Sequence, residues 1–196
     1  MSSLSNHVAL ATLLLWPVIP LFWVPVHCGA RWFRRIGLFT YMLPFVTWLP
    51  LAWHLFTLRG FLLAYQVTLP IAINVFGIVL LVLGTALQLW TYSLLTGPVI
   101  AGMPEVTGGG KTTMMTAGPF SVIRHPTYLS HTLMLLGIFL WTGIGSIGII
   151  TLADALIVNA IIIPLEEREL TERFGGEFEK YRKRVPRRIV PWLRFR

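Results

Sequence analysis

The sequence predicts an all-α integral membrane protein of about five transmembrane helices, with a C-terminal helical hairpin and a polar tail. Three observations predict it. Hydrophobic residues make up 55% of the 196 positions and charged residues only 12%, against roughly a quarter charged in soluble domains. The mean hydropathy is +0.71. The apolar residues also gather into stretches that match the roughly 30 Å hydrocarbon core, where a helix satisfies its own backbone. This composition excludes a disordered chain and an ordinary soluble enzyme. Cys28 is the single cysteine, so an internal disulfide scaffold is excluded too. In this apolar setting the net charge of +8 points to membrane topology and not to nucleic acid.

The spans fall at about Leu4–Pro25, Ile36–Leu58, Pro70–Leu95, Thr127–Thr142 and Ile147–Leu165. Pro17, Pro20 and Pro25 interrupt the first, which is expected to kink. No small-residue cleavage site follows it, so it is read as a span and not as a signal peptide. Gly77 and Gly84 on the third span are expected to permit close helix packing. The fourth span is short and reads as one arm of a tight hairpin that turns at Gly143-Ile144-Gly145-Ser146. No internal repeat or low-complexity segment divides the chain. It reads as one membrane domain, residues 1–196, with a three-helix apolar part (1–95) and a second part (96–196) that carries the polar segments.

Charge sets the expected orientation. With the loop after the first span inside, the inner side holds Arg31, Arg34, Arg35, Lys111, Arg124 and ten Lys/Arg from Arg168 onward; the outer side holds Arg59 alone. By the positive-inside rule the N-terminus lies outside and the tail inside. The tail and the loop after span three, the two long polar segments, then share the cytoplasmic face.

Three polar clusters are candidates for chemistry. Gly108-Gly109-Gly110-Lys111-Thr112 has the look of a phosphate loop, but the required first glycine is Glu105 and a membrane helix precedes it. A nucleotide triphosphate site is therefore rejected, and the glycines read as a crossing segment. The second cluster is Gly118-Pro119-Phe120 followed by Arg124-His125-Pro126-Thr127-Tyr128. Pro126 suits a first helical turn. It places Arg124 and His125 at the mouth of span four, where the helix dipole favours anions. Either this is a site for an anionic or polar ligand group, or it anchors the helix at the interface, with Arg124 on lipid phosphate. The third cluster, Glu166-Glu167-Arg168-Glu169, follows span five. It reads either as a solvated turn of a helix that runs on to Gly175, or as a carboxylate turned inward by a kink at Pro164.

Polar residues inside spans are costly. Asp154 and Asn159 lie in span five, and Asn159 and Glu166, seven apart, are expected to share a face that lines one cavity. His131, one turn after Tyr128, reads either as facing that cavity or, as a lone intramembrane histidine more often does, as making a helix–helix hydrogen bond. The histidines are scattered and no cysteine pair exists, so no metal site is expected.

The order Gly-Pro-Phe, Arg-His-Pro-Thr-Tyr, short hairpin, Glu-Glu-x-x-Leu-x-x-x-Phe-Gly and Tyr-Arg-Lys-Arg-Val-Pro resembles the isoprenylcysteine carboxyl methyltransferase family. Phospholipid methyltransferases are looser relatives. The resemblance covers about Glu105–Pro191 and makes residues 96–196 a methyltransferase-like core. It implies S-adenosylmethionine as methyl donor, capped by the tail at the cytoplasmic face. It implies donor contacts at His125, Pro126, Thr127, Tyr128 and Phe120, and at Glu166 with Glu167 beside it. The family's His-x-Leu-Val stretch falls on Thr112, Thr113, Met114 and Met115, and its upstream polar contact on Glu105.

Residue chemistry is compatible. A carboxylate suits the donor's ammonium or ribose diol, ring faces suit its sulfonium and adenine, and Arg124, the candidate catalytic residue, suits a carboxylate of donor or acceptor. The family's acceptor-binding arginine slot is Ile162, and Phe178 and Ser130 also depart from the pattern. A lipophilic acceptor other than an isoprenylcysteine is then plausible (a carboxylate, thiol or amine), entering sideways from the bilayer lipids. Two competing readings are an NADPH-dependent sterol-reductase-like enzyme, suggested by the Tyr-x-x-x-Val-Pro run, and a non-enzymatic ligand-binding membrane protein.

Overall fold

The computed structural model describes residues 3–107 and 113–189. Among these residues the fold is all-helical, as expected, with an isolated bridge between Gln66 and Ile144. The N-terminal half contains α1 (Ser3–Leu15), α2 (Val18–Cys28), α3 (Ala30–Ile36), α4 (Leu43–Thr57) and α5 (Arg59–Ala64). Then come α6 (Ile71–Leu94) and the short α7 (Gly97–Ile100) and α8 (Met103–Thr107). The C-terminal half holds α9 (Pro126–Thr142), α10 (Gly145–Ile157), α11 (Ile163–Phe174) and α12 (Gly176–Arg184).

Four helical segments are long and apolar enough to cross a membrane: Leu4–Cys28, Trp32–Thr57, Ile71–Leu94 and Gly145–Phe174. The expected fifth is α9, whose 17 residues reach about 25 Å at 1.5 Å per residue. It lies at the lower limit for a span and packs along α6. The first span breaks at Trp16-Pro17, between α1 and α2, because proline cannot donate to the preceding turn.

The α6–α9 contact is the most extensive helix pair in the fold. Glycine makes it possible. A Cβ on Gly77 would stand 2.6 Å from the Trp141 nitrogen and 2.7 Å from the Gly137 carbonyl oxygen. Asn74 Nδ2 adds a donor to the Leu140 carbonyl at 2.9 Å. The hairpin then turns where expected. Gly143 adopts φ 67°, and a Cβ there would collide with the Val67 carbonyl.

Span five does not run as one continuous α-helix. Residues Val158–Ile162 form a π turn between α10 and α11. The wider turn changes the register. Asn159 faces outward and donates Nδ2 to the Ala155 carbonyl at 2.8 Å, so it does not share the cavity with Glu166 as the seven-residue spacing predicts. Pro164 stands in the first turn of α11, where its missing N–H is tolerated. The helix continues to Phe174 and stops at Gly175, as expected.

The tail folds back over this end of the bundle. Ile189 packs on Val158, Ile162 and Ile163, and full burial of such side chains contributes about 1.5–3 kcal/mol each. Ile162, in the family's arginine slot, is buried in that contact.

Candidate active site at one end of the helix bundle

A cavity of about 640 Å³ opens where α2, the end of α6, the start of α9, α11 and α12 converge. Its wall includes Thr113, Met114, Met115, Phe120, Arg124, His125, Pro126, Thr127, Tyr128 and Glu166. Sequence motifs forty residues apart thus meet at one void. Thr112 lies outside the described residues. Glu105 lies on α8, and its side chain is likewise outside what is described.

The hinge of the site is His125, the residue that caps α9. Its Nδ1 lies 3.6 Å from Glu166 Oε2 and its Nε2 lies 3.2 Å from Glu167 Oε1, so the ring stands between two carboxylates. Burial alone lowers the His125 pKa, but the two carboxylates outweigh it and hold the imidazole above its ordinary value. The ring of Tyr128 stacks beside it, centroids 5.8 Å apart. The Glu166 side chain remains 29% exposed and lines the cavity.

Glu167 does different work from the donor contact predicted for it. It is absent from the cavity wall. Its Oε1 accepts from Arg124 Nε at 2.8 Å, and its Oε2 accepts from Arg188 Nη2 at 3.0 Å. Arg124 lines the void, but its guanidinium is engaged: besides Glu167, Nη1 donates to the Val185 carbonyl at 2.7 Å. The candidate catalytic cation is thus a strut between α9, α11 and the tail. Backbone bonds complete the strut, Arg124 N to the Arg187 carbonyl and His125 N to the Arg188 carbonyl, both 2.9 Å. A buried arginine beside a carboxylate and a free carbonyl satisfies both groups, so an anionic ligand has to compete with them.

The tail also forms the roof. Phe178 and Tyr181 of α12 line the cavity, and Tyr181 donates its hydroxyl to the Phe120 carbonyl at 2.7 Å. Burial raises the Tyr181 pKa, so the hydroxyl keeps the proton it donates.

Sequence reasoning missed the N-terminal wall. Ile19, Trp23 and His27 of α2 line the cavity. His27 stacks on Trp23 at 5.3 Å and places Nδ1 3.2 Å from Glu169 Oε2, which ties α2 to α11. The available signal was a histidine one turn after a tryptophan, at the arginine-rich end of the first span. Arg173, Leu170 and Phe174 were also missed. Of the two readings of His131, the structure shows the cavity-facing one.

A family model described as phospholipid methyltransferase matches residues 72–177, from α6 to the start of α12. The chain belongs to that family. Within this phospholipid methyltransferase family member, the matched segment includes Arg124 through Tyr128 and both carboxylates of the acidic pair, whereas the α2 wall and Tyr181 lie outside it. Over 82 residues the chain is 35% identical to the cobalt-zinc-cadmium resistance protein CzcN of Cupriavidus metallidurans, 41% of this chain and 37% of that protein. It is 34% identical over 82 residues to the nickel-cobalt-cadmium resistance protein NccN of Alcaligenes xylosoxydans xylosoxydans, 41% of this chain and 38% of that protein. It is 26% identical over 99 residues to the Delta(14)-sterol reductase TM7SF2 of Mus musculus, 49% of this chain and 23% of that protein. The chain thus spans between 23% and 38% of the length of these relatives. No solved structure matches it.

Proposed function

We propose that the protein transfers a methyl group from S-adenosylmethionine to a small lipophilic acceptor at the cytoplasmic face of its membrane. One observation carries the reading: Tyr128 and Glu166, 38 positions apart, line a single cavity within a methyltransferase family segment. The volume falls in the usual ligand-pocket range of about 300–1,000 Å³. The donor set fits the molecule. Glu166 offers a half-open carboxylate to an ammonium or a ribose diol. Tyr128 and Phe120 offer ring faces to a sulfonium or an adenine, and Arg173 brings a cation for the methionine carboxylate. When bound, S-adenosylmethionine supplies an electrophilic methyl on a cationic sulfur.

The chain's residues supply alignment, worth up to about 7–11 kcal/mol for a well-oriented pair. They also supply dryness, because the tail roofs the polar end. The lining also includes the apolar Ile19, Leu94, Leu95, Val99 and Ile100. These side chains suit the lipophilic body of an acceptor. The specific isoprenylcysteine carboxylate reading loses support, since Ile162 is buried apolar and Arg124 is engaged. The charge distribution favours a cytoplasmic site.

Equilibrium binding of labelled S-adenosylmethionine to the purified protein in detergent tests this. Wild type binds at micromolar level, Glu166→Ala abolishes binding, and His125→Ala weakens it. Asp154→Ala retains it, because Asp154 lies off the cavity and accepts from Trp16 Nε1 at 2.9 Å. Absence of donor binding to wild type overturns the reading. The match to the sterol reductase favours a second reading, and binding of NADPH in place of S-adenosylmethionine would establish it.

A further inference from the structure

We propose that His131 is the base that takes a proton from the methyl acceptor, and that the acceptor is a neutral lipophilic thiol or phenol. The inference rests on the methyl-transfer reading and specifies its second substrate.

His131 lies three residues after Tyr128 on α9, so the two side chains occupy one face of the helix. Its ring lines the cavity. Its Nδ1 is buried and has no hydrogen-bond partner among the described residues. A buried polar nitrogen without a partner is costly and rare. The other cavity histidines are committed, His125 to Glu166 and Glu167, His27 to Glu169. His131 has no carboxylate partner among the described ion pairs, so nothing there holds a proton on its ring.

The acceptor class follows from charge. A carboxylate acceptor calls for a cation at the acceptor end, and the Arg124 guanidinium is bonded to Glu167 and to the Val185 carbonyl. An amine attacks only in its neutral form and then needs no base to make it a nucleophile, so it leaves His131 without a task. As an ammonium it would enter the apolar lining as a hydrated cation and then meet a cationic sulfonium. Both steps are unfavourable. A neutral S–H or O–H on a lipophilic body meets neither obstacle, but it is a poor nucleophile until it is deprotonated. His131 supplies that step. The acceptor's proton moves to the imidazole, and its electron pair forms the new bond to the methyl carbon. The carbon–sulfur pair leaves with the sulfur as a neutral thioether. The positive charge thus passes from sulfonium to imidazolium, which later releases its proton to water.

The test uses the whole protein in detergent with labelled S-adenosylmethionine and five probes: decanethiol, 4-nonylphenol, an acidic long-chain arenethiol, decanoic acid and decylamine. Wild type is expected to methylate decanethiol or 4-nonylphenol in preference to decanoic acid. His131→Gln is expected to keep donor affinity and to lose about a hundredfold or more of the rate with weakly acidic probes. With the arenethiol, already ionised, His131→Gln and His131→Asn should stay within about threefold of wild type, because no base is needed. Without donor, the ring resonances of His131 in histidine-labelled protein should shift on addition of 4-nonylphenol and not of decanoic acid. Equal losses on all probes would assign His131 a structural role and overturn the inference. So would faster methylation of decanoic acid or decylamine, or an unmoved His131 resonance. Failure of wild type to bind the donor sinks the methyl-transfer reading itself, whereas donor binding with an unaffected His131→Gln sinks only the base.

Discussion

Arg124 and Glu167 form a buried pair across 43 residues of chain, with Arg124 Nε donating to Glu167 Oε1 at 2.8 Å and side chains only 3% and 6% exposed. The pair joins the mouth of α9 to α11, and through Arg188 and Val185 it fastens the tail. Removing one partner leaves the other charged and dry. Glu167→Ala is therefore expected to cost about 3–5 kcal/mol. Glu172→Ala, which breaks an exposed pair with Arg168, should cost about 0–1 kcal/mol. Denaturant unfolding in detergent measures both, and equal losses would contradict the strut.

His125 gives the fold a pH dependence of definite sign. Its pKa is raised in the folded state because Glu166 and Glu167 outweigh burial. The protonated ring therefore contributes stability fully below the ordinary histidine value near 6.5, and that contribution fades as pH rises through the folded value. Melting temperature should fall across that window in wild type, and the slope should flatten in His125→Asn. A wild-type melting temperature that rises over the same range would refute the assignment.

Orientation is testable through the single cysteine. Cys28 is exposed at the end of α2, next to His27, which lines the cavity. A membrane-impermeant maleimide is expected to label Cys28 in inside-out vesicles and to leave it unlabelled in intact cells. The reverse pattern would put the cavity outside.

Close packing of α6 on α9 predicts a sharp contrast between two glycines. Gly77→Ala drives a methyl into the backbone of α9 and should destabilise by about 1–3 kcal/mol. Gly60 on α5 has open space around it, so Gly60→Ala should be neutral or slightly stabilising. Thermal unfolding of the two variants, side by side, checks the contact.

The cavity was partly legible. Phe120, His125, Tyr128 and Glu166 were found because each belongs to a short motif whose order survives in the chain. Trp23 and His27 were not, because a wall supplied by a distant helix leaves no local pattern. The role of Arg124 was misread for a related reason. A cation at a helix mouth looks available until the partner from α11 and the carbonyl from the tail are in place.

The sequence by itself determined that this chain is helical and membrane-embedded, because hydrocarbon tolerates no unpaired backbone and the apolar stretches have the length a bilayer demands. It also determined the turn at Gly143 and the stop at Gly175, which depend on local backbone geometry alone. Tertiary structure decided the rest. A π turn rotated Asn159 away from the cavity, the tail closed over α11, and two adjacent glutamates were divided, Glu166 toward the void and Glu167 toward Arg124. Neighbours in sequence acquire opposite tasks when the groups that face them come from remote segments, and only the packed fold specifies those partners.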